Sequence, residues 1–363
     1  MNITFLIGNG FDLNLGMKTQ YTDFIEYYIQ NDDFDFESEF DFFFGDTPIK
    51  KFKRDLDKNK MLWSAAELAF GEYTNEFKCN ENELKNFLSC HEDFCEKLGE
   101  YLDKEQNKVN NLMDDKIIQN NFIDCIRNFY NGFRLGQQEQ IKNYIEKIGG
   151  GFVYNFVSFN YTTTLDKLYD ISKKKEDALG NRVYGNVKYK NKIGEIMHVH
   201  GYTDRDMVLG VNDDSQLKNL ELFDGYYPEY KAQLIKKETN EMNEQQIDSK
   251  VHNLLLISDI IYIYGMSIGE TDAIWWQRIC EILKKSTSKR IIIHCYDAPT
   301  EKLLRTQYRV YEREMKKTFL NYSKMSDEDK QAILPRIHID SSNIFLKLHN
   351  IFNEPIENII MSQ

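Results

Sequence analysis

Proline is scarce, five in 363 residues, and no Gly/Ser tract occurs, so the chain offers no obvious flexible linker. No segment approaches the roughly 20 consecutive apolar residues of a membrane-spanning helix. The opening run "ITFLI" is too short for a secretory h-region and lacks a basic lead-in, so no leader is expected. The six cysteines, at 79, 90, 95, 125, 280 and 295, form no CxxC pair. Reduced thiols and a cytoplasmic location are therefore expected. Cys79, Cys90, His91 and Cys95 match no common zinc spacing and read as thiols on helix faces, so no metal is expected. Positive charge is short as well. A formal net charge of −12 argues against a broad basic face, and so against direct nucleic-acid or anionic-membrane binding. The basic runs Lys173–Lys175 and Lys284–Lys285 sit among acids and read as solvated helix ends. Nucleophile elbow, HExxH and Walker A sequences are missing too.

What is present is the composition of a globular chain, 41% hydrophobic and 13% aromatic, long enough for one large domain or two modest ones. Residues 3–7 read as a buried strand. A helix follows, with Tyr21, Phe24, Ile25, Tyr28 and Ile29 at helical spacing. The stretch 31–46 alternates acids with phenylalanines and reads as an irregular loop or a short helix. From about 60 to 148 the pattern is helical throughout, with apolar faces running from Leu84 to Leu102 and from Leu112 to Phe133. Strand-like runs return at 152–159, 195–200, 207–210, 258–264, 290–295 and 336–339. Helical segments at 161–170, 228–256, 271–286 and 300–320 fall between them. Buried strands alternating with helices predict an α/β, Rossmann-like fold: a mostly parallel sheet covered by helices. The expected division is a nucleotide-binding domain over 1–30 and 150–363, interrupted by an all-helical insertion over 31–149.

Ligands of open parallel sheets collect beyond the carboxyl ends of the strands. Gly8-Asn9-Gly10-Phe11-Asp12 follows the first strand. Ser158, Asn160 and Thr162 follow the second, and His198, His200 and Gly201 the third. Gly265 and Ser267 follow the 258–264 run, and Asp297 the next. The glycine pair fits a phosphate-binding turn or a tight turn without ligand, because Leu13 stands where a dinucleotide fingerprint needs its third glycine. Asn160 and Thr162 also suit helix capping. His198 and His200 alternate along one strand, a pair short of further metal ligands, and His200 at the strand exit suits a general base. Asp12 would repel a pyrophosphate, so it either caps the following helix or accepts a ribose hydroxyl.

The segments "FLIGNGFDLNLG", "SFNYTTTLDKLY", "HVHG" and "YIYGMSIGETD", in that order, resemble the AbiH family of bacterial phage abortive-infection proteins. Their layout is also similar to the sirtuin-like NAD-binding fold. That resemblance implies NAD⁺ as substrate or ligand, with Gly8 and Gly10 at the dinucleotide, Asn160 near the nicotinamide ribose, His200 as base, and Gly265 with Ser267 toward the adenosine. Asn9, Asp12, Ser158, Thr162, Gly201 and Asp297 complete the expected binding set, with Asn160 and His200 catalytic. It also implies a phage-derived or defence-system protein partner, or a homo-oligomer. Two departures stand out. The paired zinc cysteines of protein-deacylating sirtuins are missing, and Thr162 stands where many sirtuin-like NAD hydrolases carry an acid. A nucleotide-binding sensor without catalysis and an RNA-directed nuclease are the alternative readings.

Overall fold

Runs such as IIYIY are buried at every position, as strands covered on both faces must be. A computed structural model describes residues 1–30, 47–113, 116–223, 228–242, 246–296 and 305–353; the acidic stretch 31–46 lies outside the described residues. The strands are β1 (Asn2–Ile7), β2 (Val153–Ser158), β3 (Asn181–Tyr184), β4 (Val187–Lys190), β5 (Lys192–His198), β6 (Ile260–Tyr264), β7 (Arg290–His294) and β8 (Ile337–Asp340). Six of them form one sheet in the order β5-β2-β1-β6-β7-β8, while β3 and β4 form a separate antiparallel hairpin. Every pairing within the six-stranded sheet is parallel.

Counted along the chain, the sheet strands stand in the order three-two-one-four-five-six. This is the doubly wound arrangement, whose crevice lies where the winding reverses, here between β1 and β6. Register then decides which loops emerge together. Ile7 pairs with both Ser158 and Tyr264, and Ser158 with His198, so the carboxyl ends of β5, β2, β1 and β6 are level.

The described residues fall into two compact units. The first comprises residues 1–17, 108–199 and 249–363 and contains the sheet. On one face of that sheet Phe5 is fully buried, stacked on Phe156 at 5.5 Å between ring centroids and tilted against Tyr262 at 5.5 Å. The second unit comprises residues 18–107 and 200–248. Its core is aromatic: Phe94 meets Phe24 edge-on at 4.9 Å and Phe70 at 5.0 Å, and Trp63 meets Phe70 at 4.9 Å. Residues 108–149, read from the sequence as part of the insertion, group with the sheet, and 200–248 group with the helices. Among the described residues no helix is long and apolar enough to cross a membrane.

Several boundaries differ from the sequence reading. The run 207–210 is not a strand. The third sheet strand ends at His198, because Gly201, at φ +74°, turns the chain away two residues past Val199. The helical stretch 228–256 is broken into Pro228–Ala232, Lys236–Met242 and Ile247–Ile257, with Gln246 at φ +47° just before the last. The face read from Leu112 to Phe133 is the helix Lys116–Arg127, followed by Leu135–Glu146.

Phe5→Ala leaves a void at the centre of the sheet face. It should lower unfolding stability by about 3–5 kcal/mol in a urea titration, whereas Ser267→Ala at an exposed position should leave the midpoint unchanged.

Candidate functional site

At the point where the winding reverses, two loops meet backbone to backbone. Gly8 N–H donates to Tyr264 O at 2.9 Å and Gly10 N–H to Gly265 O at 2.8 Å, while Phe11 N–H returns to Gly8 O at 2.9 Å. A Cβ on Gly10 would lie 2.5 Å from Gly265 Cα, and one on Gly8 2.7 Å from Gly265 O. Gly265 itself has φ +67°, which glycine adopts without strain. The Gly8 and Gly10 N–H groups therefore donate within the protein. Loop packing accounts for all three glycines.

From this contact the chain enters the short helix Gly10–Asn14, which carries Asp12 inward to 1% exposure. The carboxylate is turned across to the loop after β2. Its Oδ2 accepts from Thr162 Oγ1 at 2.7 Å, and its Oδ1 has no hydrogen-bond partner. Burial pushes this carboxyl from its ordinary 3.8 up to about 7, against the opposing pull of the Thr162 hydroxyl, the neighbouring Asn160 amide and His198.

The loop after β2 supplies the facing wall. Ser158, fully buried, accepts the Asn160 N–H on its Oγ at 3.2 Å. Asn160 Nδ2 donates to Gly8 O at 3.2 Å, and its Oδ1, buried, has no partner. Neither Asn160 nor Thr162 caps a helix. The helix Thr164–Lys174 starts at Thr163 without a side-chain cap bond, and the two side chains reach the β1 loop instead. Below them His198, at the end of β5, bonds Asn160 O through Nδ1 at 3.0 Å and Asp166 Oδ2 through Nε2 at 2.8 Å. Both ring nitrogens thus face oxygen atoms, one of the Asn160 carbonyl and one of the Asp166 carboxylate. Asp166, one helical turn past Thr162, is no obvious substitute in the sequence for the acid missing there; the structure gives it to His198.

Thus β1, β2 and β5 bring together Gly8, Gly10, Asp12, Ser158, Asn160, Thr162 and His198, joined by Gly265 from the β6 loop. Asn9 is half-buried at the start of the short helix, and Ser267 is exposed. Asp297 lies outside the described residues. His200 and Gly201 belong to the helical unit. His200 lies beyond the strand that was to carry it and is 5% exposed, not open at a strand exit. Its Nδ1 stands 3.9 Å from Glu67 Oε1, and Glu67 Oε2 accepts from Lys236 Nζ at 2.8 Å, all three side chains being buried. Gly201 turns tightly there: a Cβ would fall 1.8 Å from Asp206 O. Glu67 and Lys236 carried no signal in the sequence, since each is one charged residue among many on helical stretches. Among the described residues no group of three His, Cys, Asp or Glu side chains could hold a metal ion.

The family model described as bacteriophage abortive infection AbiH matches residues 4–294. No curated protein and no solved structure matches the chain.

The raised Asp12 carboxyl carries a pH signature. Between about pH 4 and 7 the folded chain keeps a proton that the unfolded chain has lost, so this contribution to stability is full below about pH 4 and disappears as the pH rises through 7. Asp12→Asn removes that titration while keeping an acceptor for Thr162. Urea midpoints from about pH 5 to about pH 8 should fall more steeply for the wild type, by at most about 1.4 kcal/mol per pH unit.

Proposed function

The chain belongs to the bacteriophage abortive infection AbiH family, and on that premise we propose that it is a phage-defence effector that binds and hydrolyses NAD⁺, or a related nucleotide, at the nicotinamide–ribose bond. The observation that carries the reading is a pair of buried acceptors without partners, Asp12 Oδ1 and Asn160 Oδ1, on loops tied together by the Thr162–Asp12 bond. Buried acceptors are costly until a donor reaches them. A ribose presents two adjacent hydroxyl donors, which is the chemistry this pair lacks. A hydroxyl on Asp12 would also favour its ionised form, so binding near pH 7 should release protons.

Cleavage follows from the roles implied by the resemblance to sirtuin-like NAD-binding proteins. The C1′–nitrogen bond breaks, its electron pair leaves with nicotinamide, and positive charge builds on the ribose. Asn160 holds the ribose and the attacking water, whose oxygen bonds to C1′. By the same resemblance His200, which lies in the helical unit, is the base for the water's proton. The Glu67 carboxylate, fixed by Lys236, lies on the Nδ1 side of that ring, where it favours the imidazolium so formed. A second reading is a nucleotide-binding sensor without catalysis. It is favoured by Thr162, which stands at the position of an expected acid and is engaged in holding Asp12.

Nucleotide profiles of phage-infected cells test both readings. Wild type should deplete NAD⁺ and release nicotinamide, and His200→Ala should slow turnover by about 10²–10⁴-fold, the usual contribution of a general base. NAD⁺ left intact by the activated wild-type protein sinks the hydrolase reading. Protection retained by an Asn160→Ala/His200→Ala variant assigns the sensor instead.

A further inference from the structure

The hairpin β3–β4 is small, exposed and chemically out of character with the rest of the chain. Residues 173–192 carry seven basic and two acidic side chains, in a protein whose formal net charge is −12. That net charge argues against a broad basic face, not a local one. An isolated two-stranded ribbon is marginal in water, so this one needs an anchor on one side. Side chains alternate along a strand, and directly paired residues share a face. The register Arg182↔Tyr189 and Tyr184↔Val187 puts these four on one face, and Asn181, Val183, Lys188 and Lys190 on the other.

The first face is the anchored one. Arg182 donates to Gly150 O at 3.1 Å and to Ile145 O, and its guanidinium lies 4.9 Å over the Phe152 ring. The Tyr184 ring closes over Gly149, where an added Cβ would meet it at 3.3 Å. The second face is left to solvent: Val183 is 68% exposed, and Lys188 and Lys190 are exposed beside it. Not every lysine nearby is available. Lys173 donates to Ile193 O and Gly194 O, and Lys175 to Gln119. Lys190 meets only the exposed Asp177 carboxylate, a surface pair of small value.

We propose that the outer face of this ribbon binds a single-stranded nucleic acid along its phosphate backbone. Lys188 and Lys190 stand two residues apart on an extended strand, and Lys192 continues the alternation. Such a row of positive charges, spaced by about 6.6–6.8 Å, can follow successive phosphates. Val183, at the centre of the face, offers apolar contact to sugars and bases. Lysine is depleted at protein–protein interfaces, where arginine and aromatic residues dominate, so a lysine-lined face favours a phosphate partner over an acidic protein.

Fluorescence anisotropy of the full-length protein with labelled oligo-dT and oligo-U tests this, and the two probes separate DNA from RNA. Wild type should bind at least one of them with a log–log salt slope of about −2, the value for three phosphate contacts on a single strand. Lys188→Glu/Lys190→Glu should weaken binding by about ten-fold or more and reduce the slope to about −0.7. Circular dichroism should show the variant folded, since both side chains are exposed. Salt-independent or undetectable binding by the wild type, or equal affinity in the variant, overturns the proposal. So does a variant that loses self-association, read by light scattering, while binding the oligonucleotides as before.

Discussion

The contact between Gly8, Gly10 and Gly265 is the constraint on which the site depends. In a doubly wound sheet the loops after the first and fourth sheet strands diverge around a crevice. Here they touch, because no Cβ stands between Gly10 and Gly265. With its N–H committed to Tyr264, Gly8 leaves its carbonyl to accept from Asn160, which pins the β2 loop to the β1 loop. The same contact starts the short helix at Gly10. Phe11 packs edge-on to Phe345 at 5.1 Å, and Asp12 is carried into the interior. A side chain at any of the three glycines would therefore disturb Asn160 and Asp12 before it disturbed the sheet.

The sheet was legible in the sequence because its strands are buried on both faces. Continuous apolar runs such as IIYIY and RIIIH need no tertiary information to be read. The hairpin at 181–190 was not, since four-residue strands rich in lysine have neither the length nor the alternation of a core strand. The loops after several strands come together as their strand-end positions imply, and register explains why: the carboxyl ends of four strands are level. What each residue does there was not legible. Gly8 and Gly10 fit a phosphate turn or a packing turn, and their partners lie some 250 residues on, in the β6 loop. Thr162 meets Asp12 across 150 positions, and Asp166 meets His198 across 32. Short-range patterns carry no record of such pairings.

His198 lies between the Asn160 carbonyl and the Asp166 carboxylate. Its proximity opposes the burial that raises the Asp12 carboxyl. In the helical unit the Glu67–Lys236 pair is buried with His200 alongside. A buried ion pair is weak evidence for stability, because desolvation offsets the attraction and apolar residues of the same volume often do as well. Perturbed and buried charges are concentrated instead where chemistry needs them.

Asp12 makes the point most sharply. Thr162 needs only an acceptor, and an asparagine at this position would supply one without the cost of a buried carboxylate. The carboxylate leaves one oxygen without a partner and shifts its own ionisation to about neutral pH. Sites where a local rule is broken without a local gain are the ones to expect at functional positions. On the proposed function, that gain would come from a ligand group that donates to Oδ1 and stabilises the ion more than a neutral amide. A hydroxyl-bearing ligand does both. On that proposal, the aspartate that looks misplaced beside two glycines would be the residue that selects a sugar hydroxyl over a phosphate, and the glycine contact is what holds its loop against that of Asn160.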